Sequence, residues 1–273
     1  MATPETPVQP RIVVAVDASA ASRLALELAA DLAATLRTSL AGLYVEEEDL
    51  LHAAGLPFAR EVRARSGQVG PFTVTDLERH WRALANEARS ALTRAAQARQ
   101  IAWSFDVVRG RVAQAMSAAA RSARLTGLGS GAGGPGRLGS VARAALGAAD
   151  SSLLLVPPRR RPGDRWVTLL DTPGGARAVV ALASALAVTP AAPLLLVVPS
   201  LEAASRTALQ ETPGAALLPR TGLPELADLT ALFAILRAQR AQGLILAADS
   251  RFADPPQVER LLADGGWPVL LVR

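Results

Sequence analysis

The sequence predicts an α/β protein of two tandem halves, each a parallel sheet with helices on both faces. Three observations carry this. Short apolar runs alternate with amphipathic helical stretches, and strands separated by helices need crossover connections, which make them parallel. Half of the residues are apolar but only 4% are aromatic, so Ala, Val and Leu must fill the cores, as they do between parallel strands and their helices. The pattern also restarts, because a strand ending at Asp17 has a counterpart ending at Asp171.

In the first half, residues 11–157, RIVVAV (Arg11 to Val16) is a strand. A helix from Ala20 to Arg37 carries Leu24, Leu28, Leu32 and Leu36 on one face. LAGLYV (Leu40 to Val45) is the second strand, and 46–72 reads as a long irregular loop. Thr75 and Glu78 form a capping box that opens a long helix to about Arg99. The third strand is Ala102 to Val108. A helix with Val112, Met116 and Ala120 leads to a fourth strand, Leu125 to Leu128. A Gly-rich loop, Gly129 to Gly139, precedes a helix with Ser140 at its N-cap, and SLLLV (Ser152 to Val156) is the fifth strand.

Residues 1–10 are Pro-rich and expected to be disordered, and PPRRRPGD (Pro157 to Asp164) reads as a solvated linker, bounded at residues 158–164. In the second half, 165–273, the strands are Trp166 to Leu170, Leu194 to Val198, a weak Ala216 to Arg220, Gly243 to Ala247 and Pro268 to Val272. Helices are expected at Pro173 to Ala187, Pro224 to Arg240 and Pro255 to Ala263, with no counterpart of the long second helix. The apolar fifth and last strands need covering if they lie at sheet edges, by pairing between the halves or between chains.

Composition excludes several chemistries. There is no Cys, hence no disulfide, thiolate catalysis or Cys-ligated metal. There is no Lys, which excludes a Gly-Lys-Ser/Thr phosphate loop and a Schiff base. Two histidines, His52 and His80, make a multi-His metal site improbable, and both are expected to be exposed. The net charge of +5 is carried by arginines in short clusters without interleaved aromatics, which argues against nucleic acid as a partner. The stretch 178–201 has no charge, but Thr189, Pro190 and Pro193 divide it into helix, turn and strand, so no membrane span is expected. No signal peptide opens the sequence, and a cytoplasmic protein is expected.

The order of RIVVAVDASAAS, LAGLYVEE, GRVAQAM and GSVARAAL resembles the universal stress protein family, across 11–157 closely and in the second half in outline. The resemblance implies two tandem Rossmann-like domains, and either a homodimer or an intramolecular pseudo-dimer. It implies a stress-response or regulatory role with an unidentified protein partner and no clear catalysis. Many members bind ATP. The resemblance places an adenine nucleotide here, ATP or another, with no metal beyond nucleotide-bound Mg. It puts adenosine at Val16, Asp17 and Val45, and phosphates at Gly129, Gly131, Gly139, Ser140 and Val141. Glycines let the backbone approach phosphate, and the free N–H groups of a helix start attract it. Where the family pattern has its second Gly this chain has Ala132, and six residues, Gly133 to Leu138, precede Gly139-Ser140 where the family has nine. The alternative is a scaffold of the same fold that binds no nucleotide. In the second half no Gly-Ser precedes the last helix. Asp254 is expected at its N-cap, ahead of Pro255, where its carboxylate would repel phosphate.

Overall fold

The computed structural model describes residues 11–17, 19–62, 67–130, 138–148, 151–187, 192–223 and 226–273. The first half comprises β1 (Arg11–Ala15), α1 (Ala20–Thr35), β2 (Ser39–Glu47), α2 (Glu48–Ala54), β3 (Arg60–Val62), β4 (Val69–Pro71), α3 (Val74–Ala98), β5 (Trp103–Gly110), α4 (Val112–Ala120), β6 (Ala123–Gly129), α5 (Ser140–Ala148) and β7 (Ser152–Val156). The second comprises β8 (Arg165–Leu170), α6 (Ala176–Leu186), β9 (Leu194–Val197), α7 (Glu202–Glu211), β10 (Arg220–Gly222), α8 (Leu229–Ala238), β11 (Ala241–Ala247), α9 (Pro255–Ala263) and β12 (Val269–Val272).

Three local expectations are corrected. The stretch 46–72 is not irregular: β2 runs on to Glu47, and α2 and a β3–β4 hairpin follow. The α3 cap is Thr73, not Thr75. Its hydroxyl accepts from the Asp76 N–H at 3.2 Å, while Glu78 reaches sideways to Arg109. In the second half α7 stands where α3 stands in the first, but it is far shorter, and β10 begins where the weak strand was expected to end.

The two halves share one ten-stranded sheet, in the order β10-β9-β8-β11-β12-β7-β6-β1-β2-β5. Every pairing in it is parallel except the central one, where β12 meets β7 antiparallel and Leu154 faces Leu270. Read outwards from that seam, the order is the same in both directions. The halves are therefore related by a pseudo-twofold axis, and their strand ends point opposite ways. Five leucines, Leu153, Leu154, Leu155, Leu270 and Leu271, and Val269 are almost fully buried at the seam. A strand buried on both faces needs such an uninterrupted apolar run. Pairing within the chain thus covers both of the edges that the sequence left open.

Each face of the sheet carries one core, and each core draws on both halves. One lies under α1, α3, α6 and α7, the other under α4, α5, α8 and α9. The segment 158–164 is a strap bonded to the second half. Arg161 N–H donates to Gly266 O at 2.8 Å, Arg160 donates to Gln242 at 2.9 Å, and Arg161 lies over the buried Trp267 ring. Gly163 fits because a Cβ there would stand 2.4 Å from the Ala241 backbone.

Candidate functional site

In the first half β1 lies between β2 and β6. The crossover from β1 to β2 runs through α1 on one face, and the return to β6 runs through α4 on the other. Strand order reverses at this point, and in open α/β sheets ligands bind outside the carboxyl ends of the strands at such a point.

Val16 and Asp17 continue β1 past its carboxyl end. Val16 is buried, and its N–H donates to Leu43 O at 2.9 Å, which keeps it beside β2. The exposed Asp17 carboxylate accepts from Ser19 N–H at 2.7 Å. Its backbone N–H donates to Ser22 Oγ at 2.8 Å, and that hydroxyl donates to Ala15 O at 3.3 Å. Ser19 caps α1 by accepting from Ser22 N–H. These bonds are all local, within residues 15–22.

Val45 lies next to the buried Tyr44. Burial, then the charges of Glu46 and Asp17, push the Tyr44 phenol up to about 12. Glu46 is held by Arg109 at 2.9 Å, and Arg109 also reaches Glu78.

Gly129 ends β6 where α1 begins. A Cβ there would stand 2.7 Å from the carbonyl carbon of Ala21 and from Ser22 N. Glycine is thus required by helix packing, whatever else it does. At α5 the cap position belongs to Gly139, whose carbonyl accepts from Arg143 N–H at 3.0 Å. Ser140 is the first helical residue and is exposed, which corrects its expected place at the N-cap, and Val141 is half-buried. Gly131 lies outside the described residues. The structure brings Val16, Asp17, Val45 and Gly129 to one strand-end face, with Gly139, Ser140 and Val141 at the start of the following helix.

Sequence reasoning missed a contribution from the other half. Glu259 of α9 accepts from Leu138 N–H at 3.3 Å, and the same oxygen pairs with Arg143 of α5. A signal existed. Residues 139–156 and 255–272 align without a gap, and this alignment puts Leu154 with Leu270 and Arg143 with Glu259. Equivalent positions beside a twofold axis meet each other, so their opposite charges forecast a pair.

The equivalent place in the second half is closed. Asp171 ends β8 and is partly buried, and the loop after β11 grips it. Ser250 Oγ donates to Asp171 Oδ2 at 2.8 Å and Arg251 N–H donates to it at 3.2 Å, with Phe252 buried beside them. Burial pushes the Asp171 carboxyl up, against the pull of these hydrogen bonds. Asp249 accepts from Thr172 Oγ1 at 2.8 Å and lies over the start of α6. Asp254 is the N-cap residue of α9, as expected, but its side chain makes no capping bond. The tight contact between helix and strand is kept with its partners exchanged. Gly175 on the helix side faces Ala247 on the strand, where Ala21 faces Gly129 in the first half.

Among the described residues no group of three or more His, Cys, Asp or Glu is placed to hold a metal ion. No described helix is long and apolar enough to cross a membrane. His52 and His80 are both exposed.

Comparison with known proteins agrees with this architecture. The model of the universal stress protein family matches residues 10–157. A universal stress protein from Archaeoglobus fulgidus DSM 4304 superposes with a TM-score of 0.68 at 14% identity, over 97% of each chain. A functionally unknown protein from Pseudomonas aeruginosa PAO1 superposes with a TM-score of 0.56 at 13% identity, over 97% of this chain and 92% of its own. A protein described as a putative universal stress protein, from Pseudomonas aeruginosa UCBPP-PA14, gives a TM-score of 0.54 at 14% identity, over 97% of this chain and 93% of its own. At such identities the likeness concerns the fold. No curated protein matches the sequence.

Proposed function

Because the chain belongs to the universal stress protein family, we propose that its first half binds an adenine nucleotide, ATP or another, and that this binding serves a stress-response role without turnover. One observation carries the reading: the difference between two equivalent strand ends. Asp17 is exposed and bonded locally, whereas Asp171 is gripped by the loop after β11. An open carboxylate at a switch point can accept from ribose hydroxyls, and the start of α5 can receive a phosphate. Nucleotide at Val16, Asp17, Val45 and the Gly139 to Val141 helix start would change the surface that a protein partner reads. The absence of Lys supports binding over phosphoryl chemistry.

Mass spectrometry of the purified chain, with calorimetry against adenosine, AMP and ATP, tests the reading. Bound adenine nucleotide, or a measurable Kd that Asp17→Ala weakens about tenfold or more, is expected. Silence in both measurements overturns it.

A second reading, a scaffold that binds no nucleotide, is favoured by Gly129. Packing against Ala21 and Ser22 alone requires glycine there.

A further inference from the structure

The start of α5 is not furnished by the first half alone. Glu259 comes from α9 of the second half, takes the Leu138 N–H, and holds the Arg143 guanidinium. Its side chain keeps 20% of its exposure and that of Arg143 keeps 49%, so the carboxylate is the more enclosed partner. Leu138 lies one residue ahead of the Gly139 cap, so the carboxylate stands beside the helix start and satisfies a backbone N–H there, much as a phosphate oxygen would. It also repels any further anion brought to the same place, and a half-enclosed charge is screened less than a free one.

Resting on the nucleotide reading above, we propose that Glu259 is the specificity-determining residue of the first-half site. It limits the negative charge that the site accepts and ranks adenosine and AMP above ATP. Two effects act together. The Glu259 carboxylate opposes each added phosphate charge, and it keeps Arg143 paired so that this cation is not available to the phosphates. The second half, whose own strand end is closed, thus sets the selectivity of the first.

The test is calorimetry of the full chain with adenosine, AMP and Mg-free ATP. Glu259→Gln keeps an oxygen to accept from Leu138 and Arg143 but removes the charge. It is expected to tighten ATP about tenfold relative to AMP, the size of one nearby unit charge at intermediate dielectric. Adenosine should not change, and the ATP gain should shrink in about 1 M salt. Arg143→Gln leaves the carboxylate without its cation and should shift the ATP to AMP ratio the other way, which serves if Glu259→Gln does not fold. Equal shifts for ATP and AMP, or none, in a variant that still binds them would overturn this inference and leave the nucleotide site standing. If none of the three ligands binds to either chain, both readings fall.

Discussion

Leu154 of β7 lies directly opposite Leu270 of β12, on the pseudo-twofold axis that joins the two halves into one sheet. Both are fully buried. Truncating either to Ala replaces a buried isobutyl group with a methyl at a site with little freedom to collapse. Leu154→Ala or Leu270→Ala should each cost about 2–5 kcal/mol by urea unfolding. Because both sit in one contact, the double substitution should fall short of the sum. An additive result would mean that the two residues do not share a packed seam.

The first half on its own, residues 1–157, would bare the β7 edge and its leucines. It should associate rather than remain monomeric. A symmetric pair through β7 would set Arg143 against a second Arg143, so the assembly should tighten when Arg143→Glu is mixed with the unmodified half. Light scattering after size exclusion would show this, and a monomer at all concentrations would contradict it.

Gly175 and Ala247 exchange the roles that Ala21 and Gly129 have in the first half. A Cβ on Gly175 would stand 2.2 Å from the Ala247 Cβ. Gly175→Ala should therefore destabilise by about 1–3 kcal/mol through overpacking. Adding Ala247→Gly recreates the arrangement of the first half and should recover most of the loss. Failure of the double variant to recover would show that the contact is not what requires glycine.

Asp171 has a carboxyl raised by burial, so the folded state holds its proton more tightly than the unfolded chain does. The associated stability is fully present below the ordinary carboxyl value and is lost as pH rises through the raised one. Relative to Asp171→Asn, the wild type should gain stability as pH falls from neutral toward the ordinary carboxyl range. Thermal melts of both chains across that range would check the sign, and an opposite slope would mean that the hydrogen bonds from Ser250 and Arg251 outweigh burial.

The single tyrosine offers a spectroscopic check on the charges around the ends of β1 and β2. Tyr44 should ionise near 12 in the folded chain, read by absorbance at alkaline pH. Glu46→Gln should lower the midpoint more than Asp17→Asn, since Glu46 is the larger charge effect. An unchanged midpoint in both variants would leave burial as the sole cause.

What the sequence disclosed follows from where side chains must face. The runs at Ile12 to Val14 and Leu153 to Val156 are buried on both sides, and such strands cannot be written without an uninterrupted apolar stretch. α7 was missed because EAASRTALQE has no wide apolar stripe: of its described side chains Ala208 is buried and Leu209 partly so. The α3 cap was misplaced because Thr73 and Thr75 each have an acid three residues on, Asp76 and Glu78, and backbone geometry decides between them. Asp17 and Val45 are named as site residues through the family resemblance, on strands that the apolar runs place. Glu259 is not, because its role comes from a fold axis that lies between two stretches of chain far apart in sequence.

The strap through residues 158–164 has a genetic consequence. In a dimer of identical subunits any substitution is made twice, once on each side of the axis, so a change beside the axis must suit its own image. Here each change is made once. An arginine can stand at 143 and a glutamate at 259. One half can keep an open strand end while the other seals its own, and neither novelty has to be tolerated in duplicate.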